Sequence, residues 1–242
     1  MFYEPQKTQY DLNFKLFGIS VRIHPMFWLL GIFLGANSPT PESLFLWLLA
    51  VTVSILIHEL GHALVLRLYG ISSRIVLYSF GGLTIHDRTY HLRWFENAFV
   101  SFAGPAAGFV FLGLITLFFC LTGQSEILNY YALVLGFSTE ISRIGTPFLS
   151  TFLLFLIEVN LFWGILNLMP IFPLDGGQIT REFCTKISPQ DGFLRSLKIS
   201  LVTSVMLAVW FFFARQYFAA LMFAWMAFSN RQLLQQLSTR RW

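Results

Sequence analysis

"SILIHELGHALVLRLYG", residues 54–70, decides how the rest of the chain is read. It is apolar enough to cross a bilayer, yet His58, Glu59 and His62 lie within five residues of one another inside it. Ionisable side chains are costly at membrane depth, so three together are by default functional. On a helix, positions i and i+4 share a face, and two histidines so spaced can hold one metal ion. The glutamate at i+1 then stands where a general base would meet a metal-bound water. A buried polar patch satisfied by helix partners is the plainer alternative, and the membrane setting weighs against it.

Outward from that stretch, the composition is that of a membrane protein. Of 242 residues, 56% are hydrophobic and 12% charged, against about 45–50% and about 25% in soluble domains. The net charge of +4 comes without a basic run or an aromatic-interleaved patch, so nucleic acid is not an expected partner. Cys120 and Cys184 are far apart and form no CxxC pair, which argues against a disulfide framework and a thiolate metal site. The N-terminus has mixed charge and no apolar core, unlike a secretory signal peptide.

Apolar runs between charges and breakers predict an all-α polytopic membrane protein with about six transmembrane helices. The runs fall near 24–36, 43–69, 97–121, 147–169, 199–213 and 216–229, the last two forming a helical hairpin. Segment 127–137 is too short to span and is expected at the interface. After the second span, "SSRIVLYSFGGLTIH" (72–86) alternates around a Gly-Gly pair and predicts a short β-hairpin. Lys and Arg concentrate in the N-terminus, loop 70–96, segment 170–198 and the tail, and are sparse at 37–42 and 122–146. The positive-inside rule then puts both termini in the cytoplasm, with residues 58–62 in the cytoplasmic half of the bilayer.

Two histidines leave a catalytic zinc one protein ligand short. "NLMPIFPLDGGQ", 167–178, closes the fourth span on the same expected membrane side. Pro170 and Pro173 stop the helix there, while Gly176 and Gly177 allow the chain to bend so that Asp175 can turn back. Alone, Asp175 reads as an ordinary loop residue; beside HELGH, zinc ligation is the favoured reading.

HELGH at 58–62 together with "NLMPIFPLDGG" at 167–177 resembles the site-2 protease family of intramembrane zinc metalloproteases. "SFAGPAAG" at 101–108 is similar to that family's small-residue motif, and "GISVRIHPMFWLL" at 18–30 to the first span of its compact branch, which lacks a PDZ-like or C-terminal regulatory domain. The resemblance covers residues 18 to about 180. It implies one integral membrane metalloprotease domain over 1–242, with a core at 18–180 and a helical hairpin at about 199–229. It implies a single Zn2+ on His58, His62 and Asp175, with Glu59 as general base. Asn167 would touch the substrate or its oxyanion, or else merely cap the fourth span. The implied substrate is a transmembrane protein or signal-peptide remnant, cut in or near its membrane helix. The implied setting is a bacterial inner membrane, with substrates selected by the bundle itself, by its loops or by a separate regulatory membrane partner.

Glu158 and Asn160 lie inside the fourth span without an assigned role. His24, His86 and His91 read as capping or solvated residues, and Gly104, Ala106, Ala107 and Gly108 as packing against the second span. The competing classes are a metal or proton transporter, whose polar groups would be spread along a path, and a catalytically silent homologue, which would lack Glu59 or a ligand.

Overall fold

The computed structural model describes residues 4–79, 81–86, 92–139 and 143–239. His91 and Arg88 lie outside them. The chain is a mostly helical, polytopic membrane protein with a small sheet, and it divides into two compact units, Met1–Tyr90 with Ala103–Gly164 and His91–Phe102 with Ile165–Trp242.

The first unit opens with β1 (Leu12–Leu16) and β2 (Ile19–Ile23), an antiparallel hairpin absent from the sequence expectations. Its two-residue turn, Phe17 and Gly18, has φ of 50° and 80°, the positive pair that twists with flanking strands. α1 (Pro25–Leu34) and α2 (Pro41–Leu68) follow, then β3 (Ser73–Tyr78) and β4 (Gly81–His86). β2 and β3 pair in parallel, so the expected two-stranded hairpin is half of a sheet ordered β1-β2-β3-β4. Every second residue faces the helices: Ile19, Val21, Ile23, Ile75 and Leu77 pack on Val51, Ile55, Leu60 and Ala63 of α2. On the opposite face the buried Arg22 guanidinium holds Asp11 (3.0 Å), Glu4 (2.9 Å) and the Pro5 carbonyl (3.0 Å), tying the N-terminal segment to the sheet.

α3 (Trp94–Leu121) and α5 (Pro147–Asn167) each contribute to both units. Between them, α4 (Ile127–Val134) buries one face, Ile127 and Tyr130 packing fully against Leu112, Ile144, Leu153 and Ile157, while Leu128 on its other face is 53% exposed.

The second unit contains α6 (Asp175–Ile187), α7 (Gly192–Phe213) and α8 (Tyr217–Thr239). α7 and α8 turn at Arg215 (φ 61°), and Phe211 stacks on Phe223 at 5.4 Å. Four of the six expected spans, α2, α3, α5 and α7, are long and apolar enough to cross a bilayer by themselves. α1 has 10 residues, about 15 Å of helix against about 30 Å of hydrocarbon. α8 has 23, but turns polar from Asn230 onward.

Candidate metal centre

The structure brings His58, Glu59 and His62 together on α2, at 4%, 5% and 8% exposure. One donor atom from each lies within 4.8 Å of the others. The two Nε2 atoms are 3.2 Å apart and the rings meet edge to face. Two nitrogens on a tetrahedral zinc, each about 2.0–2.1 Å from the ion, are separated by about 3.3 Å. The imidazoles therefore already stand at the spacing zinc requires.

Two other elements close on this face. On α3, a Cβ at Gly104 would collide with His62 Nε2 and come within 2.8 Å of His58 Nε2. The hydrogen side chain is what lets α3 pass over the imidazoles; Ala103 and Ala107 likewise lie close on Gly61 of α2, whereas Gly108 faces Asn160 of α5 rather than the second span. On β4, a Cβ at Gly82 would strike the Glu59 side chain. Two residues further, the Thr84 hydroxyl lies 2.6 Å from Glu59 Oε2 and 3.1 Å from the Glu59 carbonyl oxygen. One turn before His58, Ser54 Oγ accepts a 2.7 Å hydrogen bond from Asn160 Nδ2 of α5. Thr84 and Ser54 went unnoticed in the sequence, because nothing in a hairpin pattern or an apolar run marks which hydroxyl meets a distant helix.

Asn167 and Asp175 belong to the second unit. Asn167 is buried (7%) at the end of α5. Asp175 is not in a loop, as expected, but is the first residue of α6. An acidic side chain in a first turn is favoured by the helix dipole. Gly176 and Gly177 also differ from expectation. They are helical, and their need is for close approach: a Cβ at either would hit backbone of 168–172. That preceding loop is held through the Phe172 peptide, whose N–H donates to Ser200 Oγ of α7 (2.9 Å) and whose oxygen accepts from Asn230 Nδ2 of α8 (2.7 Å). His24 caps α1, its Nδ1 accepting from Met26 N at 3.1 Å, so it is a structural histidine.

A polytopic helical membrane protein with an HExxH cluster on an apolar helix is a narrow class. Residues 46–211 match the sequence model of Peptidase family M50, and the chain belongs to that family. A zinc metalloprotease of Methanocaldococcus jannaschii is 31% identical over 193 residues, covering 77% of this chain and 48% of that protein. Stage IV sporulation protein FB of Bacillus subtilis is 31% identical over 198 residues, covering 81% and 58%. The chain thus spans about half the length of these curated relatives. The solved structure of the site-2 protease from M. jannaschii matches with a TM-score of 0.53 at 26% identity, over 92% of this chain and 94% of that one.

Proposed function

We propose that this chain is an intramembrane zinc metallopeptidase that hydrolyses a peptide bond in or near the transmembrane helix of a membrane-anchored protein. The observation that carries the reading is the pair of imidazole Nε2 atoms 3.2 Å apart, with the Glu59 carboxylate beside them. His58 and His62 hold one Zn2+, and Asp175 supplies the third protein ligand. When bound, zinc acidifies water and polarises a peptide carbonyl. Glu59 takes the proton of the attacking water on its carboxylate and hands it to the departing amine nitrogen. Asn167 donates a hydrogen bond to the substrate or its oxyanion.

A helical substrate must unwind before its peptide bond can be attacked. β4 is an edge strand of the sheet, and Thr84 bonds it to Glu59, so a segment added to that edge would lie beside the base. We assign the whole of 1–242 to one catalytic domain, with a core at 18–180 and the hairpin at 199–229. Both termini are cytoplasmic, and the site lies in the cytoplasmic half of a bacterial inner membrane. The substrate is a membrane-anchored regulator or a signal-peptide remnant, presented with the help of a separate membrane partner.

The test is cleavage of model transmembrane substrates in detergent by wild type and Glu59→Gln, with zinc quantified in both. The expected result is cleavage by wild type alone, with about one zinc per chain in each. Wild type that holds no stoichiometric zinc would sink the reading and favour a transporter.

A further inference from the structure

α5 carries one acidic side chain, and the proposed chemistry does not use it. Glu158 is the twelfth of 21 residues in α5, roughly 17 Å from one end and 14 Å from the other at 1.5 Å per residue. It therefore sits near mid-depth of a helix long and apolar enough to cross the membrane. Asn160, two residues on and so about 200° around the helix, is buried at 3% and bonded to Ser54 of α2. Glu158 points the other way and is exposed. Among the described residues, no hydrogen-bond donor or cation reaches it.

Hydrocarbon is a poor neighbour for a carboxyl at that depth. A water-filled crevice would line it with other polar groups, but one turn to either side stand Leu154, Phe155, Leu161 and Phe162. The face has an ordered pattern instead. Phe148, Phe155 and Phe162 recur every seven residues, and Thr151, Glu158 and Ile165 fall three residues after each. That is the a/d spacing of a seam against a second helix. Phe148 (59%), Phe162 (42%) and Ile165 (38%) are exposed along it, while Phe155 is partly covered by an edge contact with Trp47.

We propose that this face of α5 docks the transmembrane helix of another protein, one that presents a hydrogen-bond donor or a cation to Glu158 at mid-bilayer depth. The phenyl rings supply packing along the seam, and the carboxyl fixes which helix binds and in what register. A single polar residue at one seam position has this effect in soluble coiled coils, at some cost in stability. The inference concerns binding alone and stands whether or not the chain cuts peptides.

The experiment uses the full chain in lipid nanodiscs, labelled with a fluorescence donor, and acceptor-labelled Leu/Ala transmembrane peptides. One peptide carries a central Asn, one a central Lys, and one only Leu. The Asn peptide is expected to associate roughly tenfold more tightly than the all-apolar peptide, the scale of a polar interhelical contact in bilayers. Glu158→Leu should remove that preference, whereas Glu158→Gln should retain it for Asn, since an amide still bonds the donor, and lose it for Lys. Equal binding of the peptides to wild type would overturn the proposal, as would a preference that survives Glu158→Leu. If energy transfer between differently labelled copies of the chain falls in Glu158→Leu, the face belongs to self-association and the proposal is likewise overturned.

Discussion

At the scale of single residues, the proposed base is held by one hydroxyl. Thr84 lies 2.6 Å from Glu59 Oε2, and Gly82 admits the side chain beneath β4. Removing the hydroxyl leaves the carboxylate and the proposed ligands in place but frees the rotamer. Groups that orient ligands or bases from behind typically matter 10–100-fold. Thr84→Val is therefore expected to lower kcat by roughly that factor, with KM and zinc content little changed, and Thr84→Ser should recover most of it. A loss of zinc in Thr84→Val would mean that the hydroxyl acts on the ligands instead. A second residue-scale device sits on the sheet's polar face. The Thr8 hydroxyl, then its backbone N–H and the Arg22 guanidinium, hold the Asp11 carboxyl down at about 2. The free-chain value is about 3.9, above the folded one, so the tether of the N-terminal segment is complete above about pH 4 and is lost as the pH falls through about 2. Amide exchange at residues 4–11 should accelerate across that window in wild type, and be fast and nearly pH-insensitive beyond intrinsic rates in Asp11→Asn. Equal protection in both would remove Asp11 from the tether.

At the scale of elements, the C-terminal hairpin has a structural task that its sequence hides. Ser200 and Asn230 grip opposite sides of the Phe172 peptide, three residues before Asp175. Asn230→Leu would leave a partly buried carbonyl without its donor, a change of about 1 kcal/mol or somewhat more. Unfolding in mild detergent should register that loss, and zinc affinity should fall with it if the loop positions Asp175. Unchanged stability and zinc binding would show that Ser200 suffices. What was legible follows from what has a pattern. HELGH, the proline stop after Asn167 and the β3–β4 alternation are local signals, and the helix and strands stand where they point. That Asp175 opens a helix was not legible, because α6 starts without a side-chain cap two residues after Pro173, a boundary usually read as coil. β1 and β2 did carry a signal, the alternation of LNFKL and ISVRI around Phe17-Gly18, but it was overshadowed by the apolar run beginning at His24. Buried serines at 196, 200 and 204, each bonded to a carbonyl one turn back, look like unremarkable membrane-helix composition until their partners are seen.

At the scale of the whole molecule, charge asymmetry orients what packing builds. Helix lengths alone allow α2, α3, α5 and α7 to cross, and do not say which end faces the cytoplasm. The positive-inside rule proposes an answer: loops 70–96 and 170–198 inside would put the end of α3 outside and α6 inside. The two native cysteines sample those positions. Cys120 is exposed near the end of α3, and Cys184 lies on α6, partly exposed. Neither belongs to the proposed site, so each can report without disturbing it. In intact cells whose outer barrier is permeabilised, a membrane-impermeant maleimide should label Cys120 in a Cys184→Ser background. Cys184 in a Cys120→Ser background should stay unlabelled until the inner membrane is opened. The reverse pattern would invert the molecule and move residues 58–62 to the far half of the bilayer. Labelling of both before lysis would mean that the spans between them do not alternate as the charges predict, and the proposed cytoplasmic site would fall with that topology.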